Sequence, residues 1–353
     1  MLSAAFDRIA PRLHLALSAV FATGVAVLGG VDEASGSQAD TGVTKERPVA
    51  TYSIVARDPA TGQMGVAVQS HWFSVGPIVP WVESGVGAVA TQSLVDPTYG
   101  PLGLEMMRAG RTAPEALRAL TGTDADSAVR QVAMLDTAGN IAAHTGSRCI
   151  FAAGHRTGDQ YSVQANLMEK PTVWEAMAQA YEGSQGDLAE RLLAALEAAE
   201  AEGGDIRGRQ SAAIVIVNAR PTGKPWLDRL FDLRVEDHPD PVAELRRLVT
   251  LQRAYQKMNE GDEWIAKENL EKALEAYHAA TSLVPDEATN GEAAFWVGIT
   301  LADAGRADEA IPYLRRAFAQ DDRWAELVTR LPASQLLPDD GTAQRLVEAM
   351  RQK

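Results

Sequence analysis

The stretch that most constrains this chain is residues 51–70, TYSIVARDPATGQMGVAVQS. Two β-branched, apolar-rich runs, 51–57 and 64–70, flank Asp58-Pro59-Ala60-Thr61-Gly62, in which Pro presets φ and Gly accepts a positive φ. The pattern predicts a β-hairpin. In its first strand the two-residue period places Tyr52, Ile54 and Ala56 on one face and Thr51, Ser53, Val55 and Arg57 on the other. Two hydroxyls and a guanidinium therefore share a face. An ordinary edge hairpin, with Thr and Ser present only for their β-propensity, accounts for the same residues.

The chain has 353 residues and a formal net charge of -14. That length accommodates two domains, and an acidic balance with no concentrated basic stretch argues against a nucleic-acid partner. Cys149 is the single cysteine, which excludes an intramolecular disulfide and a Cys-based metal cluster; it reads as a small buried hydrophobe. Residues 1–39 are expected to be a signal peptide. Arg8 and Arg12 give a basic start, residues 13–30 form an apolar run rich in small side chains, and cleavage is expected after Gly36 or Ala39. No cysteine follows those bonds, which excludes lipoprotein anchoring; an uncleaved N-terminal membrane anchor is the alternative. Residues 40–50 read as a polar linker, and the expected location is secreted or periplasmic.

From 51 to 237 the pattern mixes α and β. Residues 85–91, GVGAVAT, read as a buried strand whose glycines admit a close backbone, with Trp72, Phe73 and Trp81 before it as core cover. A helix at 103–109 precedes the capping box Thr112-Ala-Pro-Glu115, which opens a second helix through Leu120. Residues 130–136 and 141–144 form a second predicted hairpin, and strands are expected at 149–153 and 161–165. Helices follow at 173–181 and 188–201, the latter capped by Asp187 and stopped by Gly203-Gly204, then strands at 211–217 and 230–235. This order fits an α+β fold of layered sheets flanked by helices. His238-Pro239-Asp240-Pro241 marks a rigid boundary, and beyond it the period is 3.6 throughout, with helices at 242–258, 270–283, 293–304 and 307–319. The placement of Ala273, Tyr277, Ala280 and Pro285, echoed by Gly298, Leu301, Gly305, Ala310, Tyr313 and Ala317, resembles tetratricopeptide (TPR) repeats. A generic helical bundle is the alternative; Trp264, Trp296 and Trp324 read as core.

Phosphate-loop, GxSxG, HExxH and paired-Cys motifs are absent from the sequence, and the histidines lack metal-ligand spacing, so neither a metal nor a cofactor is expected. What remains is a set of polar clusters at strand ends: Gln69-Ser70, Thr91-Gln92-Ser93, the segment 153–159 with His155, Arg156 and Asp159, Gln164-Ala-Asn166, and the segment 203–211 with Asp205, Arg207 and Arg209. Together with YGPLGL and DLRVEDHPDP, these motifs over residues 51–241 resemble a widespread bacterial domain-of-unknown-function family placed in the N-terminal nucleophile (Ntn) hydrolase superfamily. The resemblance implies a four-layer αββα sandwich over 51–237; the repeats beyond it are expected to form an all-α TPR-like domain over 241–353. It also implies an N-terminal nucleophile, Thr51, at the start of the family's motif, with Ser53 as a fallback on the same face.

An N-terminal Thr hydroxyl is a weak nucleophile, but its own α-amino group can serve as general base. That requires a cut between Ala50 and Thr51, far beyond the apolar run, with Pro48 placed where a signal peptidase disfavours it. No Lys occurs between Lys45 and Lys170, so Arg57, Arg148 or Arg156 is expected to supply the positive charge, and Asn166 or the amides near Gly65 and Gly87 an oxyanion hole. Asp205, Arg207 and Arg209 either clamp a substrate carboxylate or pin a helix end to a strand start. Substrate contacts are expected from Gln69, Ser70, Thr91, Gln92, His155, Arg156 and Asp159. The leading expectation is an amidohydrolase or peptidase acting on a small amide, peptide or cell-wall fragment, with the helical repeats recruiting a protein. The alternative is a non-catalytic ligand- or cell-wall-binding domain on the same scaffold.

Overall fold

The computed structural model describes residues 51–352; the expected signal peptide and linker, residues 1–39 and 40–50, lie outside them. The first part runs β1 (Thr51–Arg57), β2 (Met64–Ser70), β3 (Pro80–Glu83), β4 (Gly87–Ser93), α1 (Tyr99–Arg108), α2 (Ala113–Thr123), β5 (Arg130–Asp136), β6 (Ile141–Thr145), β7 (Gly154–Gly158), β8 (Tyr161–Asn166), α3 (Val173–Gly183), α4 (Leu188–Ala201), β9 (Ser211–Val217), α5 (Pro225–Asp228) and β10 (Arg229–Val235). The opening hairpin turns as its sequence requires. Gly62 takes φ 73°, and the Asp58 carboxylate accepts from the Ala60 amide and the Thr61 hydroxyl.

Strand β1 is central rather than an edge. The larger sheet has the order β10-β9-β2-β1-β8-β7 and the smaller β3-β4-β5-β6, with every pairing antiparallel. The expected division of β1 holds: Tyr52, Ile54 and Ala56 pack with Leu192, Leu193 and Leu196 of α4, and Val55 packs between the sheets against Ala88, Ala90 and Ala133. On the other side of the small sheet, Val89, Val132 and Met134 bury against Leu104 of α1 and Leu117 of α2. Helices therefore cover the outer face of each sheet, and apolar inner faces meet in the middle.

Two expectations need correction. Residues 149–153 form no strand; their carbonyls at Ile150 and Ala152 accept from the Leu167 and Met168 amides, so the segment closes off the end of β8. Phe73 does not cover core but stands in solvent, and the stretch after it supplies β3, an edge strand.

The second part begins with α6 (Pro241–Ala266), followed by α7 (Leu270–Leu283), α8 (Glu292–Asp303), α9 (Ala307–Gln320), α10 (Arg323–Arg330) and α11 (Thr342–Arg351). Helix α6 serves two cores. Val242, Leu245 and Val249 complete the core beneath the large sheet, whereas Met258 joins the helical core with Tyr277, Phe295 and Leu314. Ion pairs reinforce the first contact: Arg246 meets Glu190 and Glu197, and Arg253 meets Asp187 and Glu190, all on or capping α4. Gly261 and Gly298 sit where a Cβ would strike the Tyr277 ring or Leu314, so glycine sets the helix spacing there. No helix among the described residues is long and apolar enough to cross a membrane.

Because Leu245 is fully buried in the sheet-side core, Leu245→Ala should cost about 2–5 kcal/mol in urea unfolding of residues 51–353. A cost near zero would show that α6 does not complete that core.

Candidate functional site

Antiparallel register concentrates polar side chains at one end of the sandwich. Across the large sheet, Asn166, Thr51, Ser70 and Ser211 pair in a single row; across the small sheet, Gln92, Gln131 and Thr145 form the facing row. Paired residues share a face, so each row is a polar ladder directed between the sheets. All except Thr145 are fully buried.

A buried polar group without a partner is costly, and here most find one another. The hydrogen bonds run head to tail. Ser162 Oγ donates to Gln164 Oε1 at 2.8 Å, Gln164 Nε2 to Ser53 Oγ at 2.6 Å, and Ser53 Oγ to Gln92 Oε1 at 2.6 Å. Gln92 Nε2 continues to Gln131 Oε1 at 2.7 Å, and Gln131 Nε2 to Thr145 Oγ1 at 2.9 Å. Thr145 Oγ1 lies 2.8 Å from His155 Nδ1. From Ser162 to Thr145 each link is polarised in the same sense, which strengthens the series.

Thr51 hangs on this series by its backbone. Its carbonyl accepts from Gln92 Nε2 at 3.2 Å and Asn166 Nδ2 at 3.4 Å, and its hydroxyl donates to Ser70 Oγ at 3.2 Å. Asn166 Nδ2 also reaches Gln131 Oε1 at 2.9 Å, which leaves Asn166 Oδ1, buried beside Thr51, without a hydrogen-bond partner among the described residues.

The structure thus gathers Thr51, Ser53, Ser70, Gln92 and Asn166, with His155 at the end of the series. The other expected site residues lie elsewhere. Arg57 donates to Gln160 at the far end of β1, six residues and about 20 Å from Thr51. Gly65 and Gly87 pair with Ala56 and Asp136 at that same far end, so their amides are not an oxyanion hole for Thr51. Arg156 is held outward by Glu175 and Glu182, Arg148 lies 4.0 Å from Asp126, and Asp159 occupies the β7–β8 turn. Thr91 faces away from the ladder and donates to the Asp96 carbonyl at 3.1 Å. Gln69 pairs with Tyr52 and Ala212, both in the helix-side core, so its side chain is buried under the helices.

The segment 203–211 resolves into two structural pairs. The Asp205 carboxylate accepts from the His71 amide at 3.2 Å, the Arg207 amide at 2.9 Å and Arg207 Nη2 at 2.8 Å. Arg209 turns instead to Glu200 and Asp240, and Glu200 also accepts from the Tyr52 hydroxyl. Burial pushes the Glu200 carboxyl up and the Tyr52 hydroxyl well up. Gln131, Gln164 and Thr145 were not among the expected site residues. The signal available for Gln131 was an amide inside the apolar strand RQVAMLD, but only register shows what it meets.

Fold and site together define an antiparallel two-sheet α+β domain whose inner faces carry a neutral amide and hydroxyl ladder at one end. The chain belongs to the family described as "Family of unknown function (DUF1028)", whose model matches residues 51–245. It is similar to protein SPO2555 from Silicibacter pomeroyi, a crystal structure assigned to DUF1028, at 33% identity and a TM-score of 0.52, over 57% of this chain and 84% of that one. A search of curated proteins found no significant match.

Gln131→Leu should destabilise the protein by about 3 kcal/mol in urea unfolding, because it strands buried donors and acceptors of both sheets. Although His155 stands exposed, partial desolvation of its imidazole, with the neighbouring His144, holds it below its ordinary pKa. A depressed histidine contributes stability that is present above its unfolded value, about 6.5, and is lost as pH falls towards the folded value. Stability should therefore drop across that window in the native protein and drop less in His155→Gln; parallel profiles would contradict this.

Proposed function

We propose that residues 51–245 form an N-terminal-nucleophile amide hydrolase of four-layer αββα architecture, latent until the bond between Ala50 and Thr51 is cut. One observation carries the reading: Thr51 opens the central strand at the end where both sheets converge their buried polar groups, and the family match begins at that same residue. Once freed, the α-amine of Thr51 takes the proton of its own hydroxyl as Oγ1 attacks the substrate carbonyl. Asn166 Oδ1, buried and unpartnered beside it, is the acceptor that orients the amine. Gln92 Nε2 and Asn166 Nδ2 hold the Thr51 carbonyl, and Ser70 Oγ fixes the hydroxyl rotamer. Ser53 is committed to the glutamine series and acts as a positioning residue rather than a second nucleophile.

The helical part is a TPR-like scaffold for a protein partner, supported by its helical hairpins and the glycines at their crossings. Export to the periplasm or exterior is the setting in which the upstream peptide would be removed. A second reading, ligand binding without catalysis, is favoured by the neutrality of the ladder: the groups that tie Thr51 to the small sheet are amides and hydroxyls, with no charged side chain among them.

The test is a chain engineered for cleavage immediately before Thr51 and assayed on aminoacyl and peptidyl amides. Cutting should switch activity on, Thr51→Ala should abolish it, Thr51→Ser should keep it, and the rate should rise with pH through about 7.7–8.0 as the amine deprotonates. Equal activity in the uncut chain, or in Thr51→Ala, would refute the nucleophile.

A further inference from the structure

We propose that the loops beyond Ser70, Asn166 and Gly204 form an apolar subsite that selects amides bearing a bulky aliphatic or aromatic group beside the scissile bond; as a statement about substrate it rests on the Thr51 reading above. Four large apolar side chains stand unusually exposed at this end: Phe151 at 79%, Phe73 at 64%, Ile206 at 62% and Ile150 at 40%. They are not scattered. Leu167, which directly follows Asn166, donates its amide to the Ile150 carbonyl at 3.0 Å, and its own carbonyl accepts from the Ile206 amide at 3.2 Å. Three segments thus form one surface against the strand that carries Asn166.

Phe73 belongs to the same rim. It lies three residues past Ser70 and, with His71, Trp72, Arg207 and Gln210, lines a cavity of about 370 Å³. The fully buried Asp205 carboxylate locks this arrangement by accepting from the His71 amide on one loop and from Arg207 on the other. Apolar surface held rigidly in water is unfavourable unless it is covered by something. The volume lies in the range of small-molecule sites, which pair an apolar wall with a few fixed polar groups. Here the apolar wall is Trp72 and Phe73, the polar groups are His71, Arg207 and Gln210, and the cavity adjoins the row that begins at Thr51 through Ser70, which His71 follows directly in the chain. The amide of a substrate would meet that row while its side chain or acyl group rests on Phe73 and Ile206.

Binding is measured with the chain cut before Thr51 and carrying Thr51→Ala, so that turnover does not interfere. N-acetyl-phenylalaninamide and N-acetyl-leucinamide should bind about tenfold more tightly than N-acetyl-serinamide. Phe73→Ser with Ile206→Ser should erase that difference, and Phe73→Leu should keep it; both positions are exposed, so folding is not at stake. Equal binding of the three amides, or a preference that survives the double serine variant, would overturn the subsite. Hydrolysis by the cut chain with Thr51 intact is scored separately. Loss of hydrolysis with the binding preference retained would refute the nucleophile, and hydrolysis without preference would refute the rim.

Discussion

The antiparallel register of β1 against β2 and β8 is the constraint on which the rest of the structure depends. It sets Thr51 opposite Ser70 on one side and Asn166 on the other, and so aligns the large sheet's polar row to face that of the small sheet. A slip of one residue would turn Thr51 and Ser53 under α4 and drive Tyr52 and Ile54 between the sheets. The hydrophobic pattern forbids this. Tyr52, Ile54 and Ala56 are committed to the helix-side core, and Val55 to the inter-sheet core, so apolar burial fixes the register and the register places the polar groups.

The polar row is expensive in itself, since each amide and hydroxyl has left water. What offsets the cost is closure. Gln131 alone joins β4, β6, β7 and β8 through one side chain, accepting from Gln92 and Asn166, with Thr145, Gly154 and Ala165 all within hydrogen-bond reach of its two N–H groups. Glutamine suits this task because it both donates and accepts at the end of a reach long enough to cross between sheets. The result is a stiff, neutral frame around the first residue of β1. A neutral frame does not by itself activate a hydroxyl, so in the hydrolase we propose the base is the α-amine of Thr51 itself, with Asn166 Oδ1 as its acceptor.

The architecture was largely legible in the sequence because period and punctuation are local. The Asp58–Gly62 turn, the Thr112 capping box, the Asp187 cap and the run SAAIVIV each announce one element, and each appears as expected. The two faces of β1 were legible for the same reason. Only part of the site was. Thr51, Ser53, Gln92 and Asn166 stood out as polar residues at strand ends, but Arg57, Arg156 and Asp159 looked similar and lie outside the ladder, because proximity in a sheet depends on pairings far apart in the chain. Gln131 and Thr145 escaped notice because their hydrogen-bond partners lie mainly on other strands. Residues 149–153 misled by composition alone: Ile150 and Phe151 suit a strand, yet they face solvent beside Leu167.

The most direct test of Thr51 as the nucleophile is covalent trapping by a β-lactone, with the acylated residue mapped by mass spectrometry in chains cut and uncut before residue 51. The account predicts a single adduct, on the Thr51 hydroxyl, formed only in the cut chain. Acylation of the uncut chain to the same extent, or a cut chain labelled at Ser53 or Cys149 instead, would contradict it.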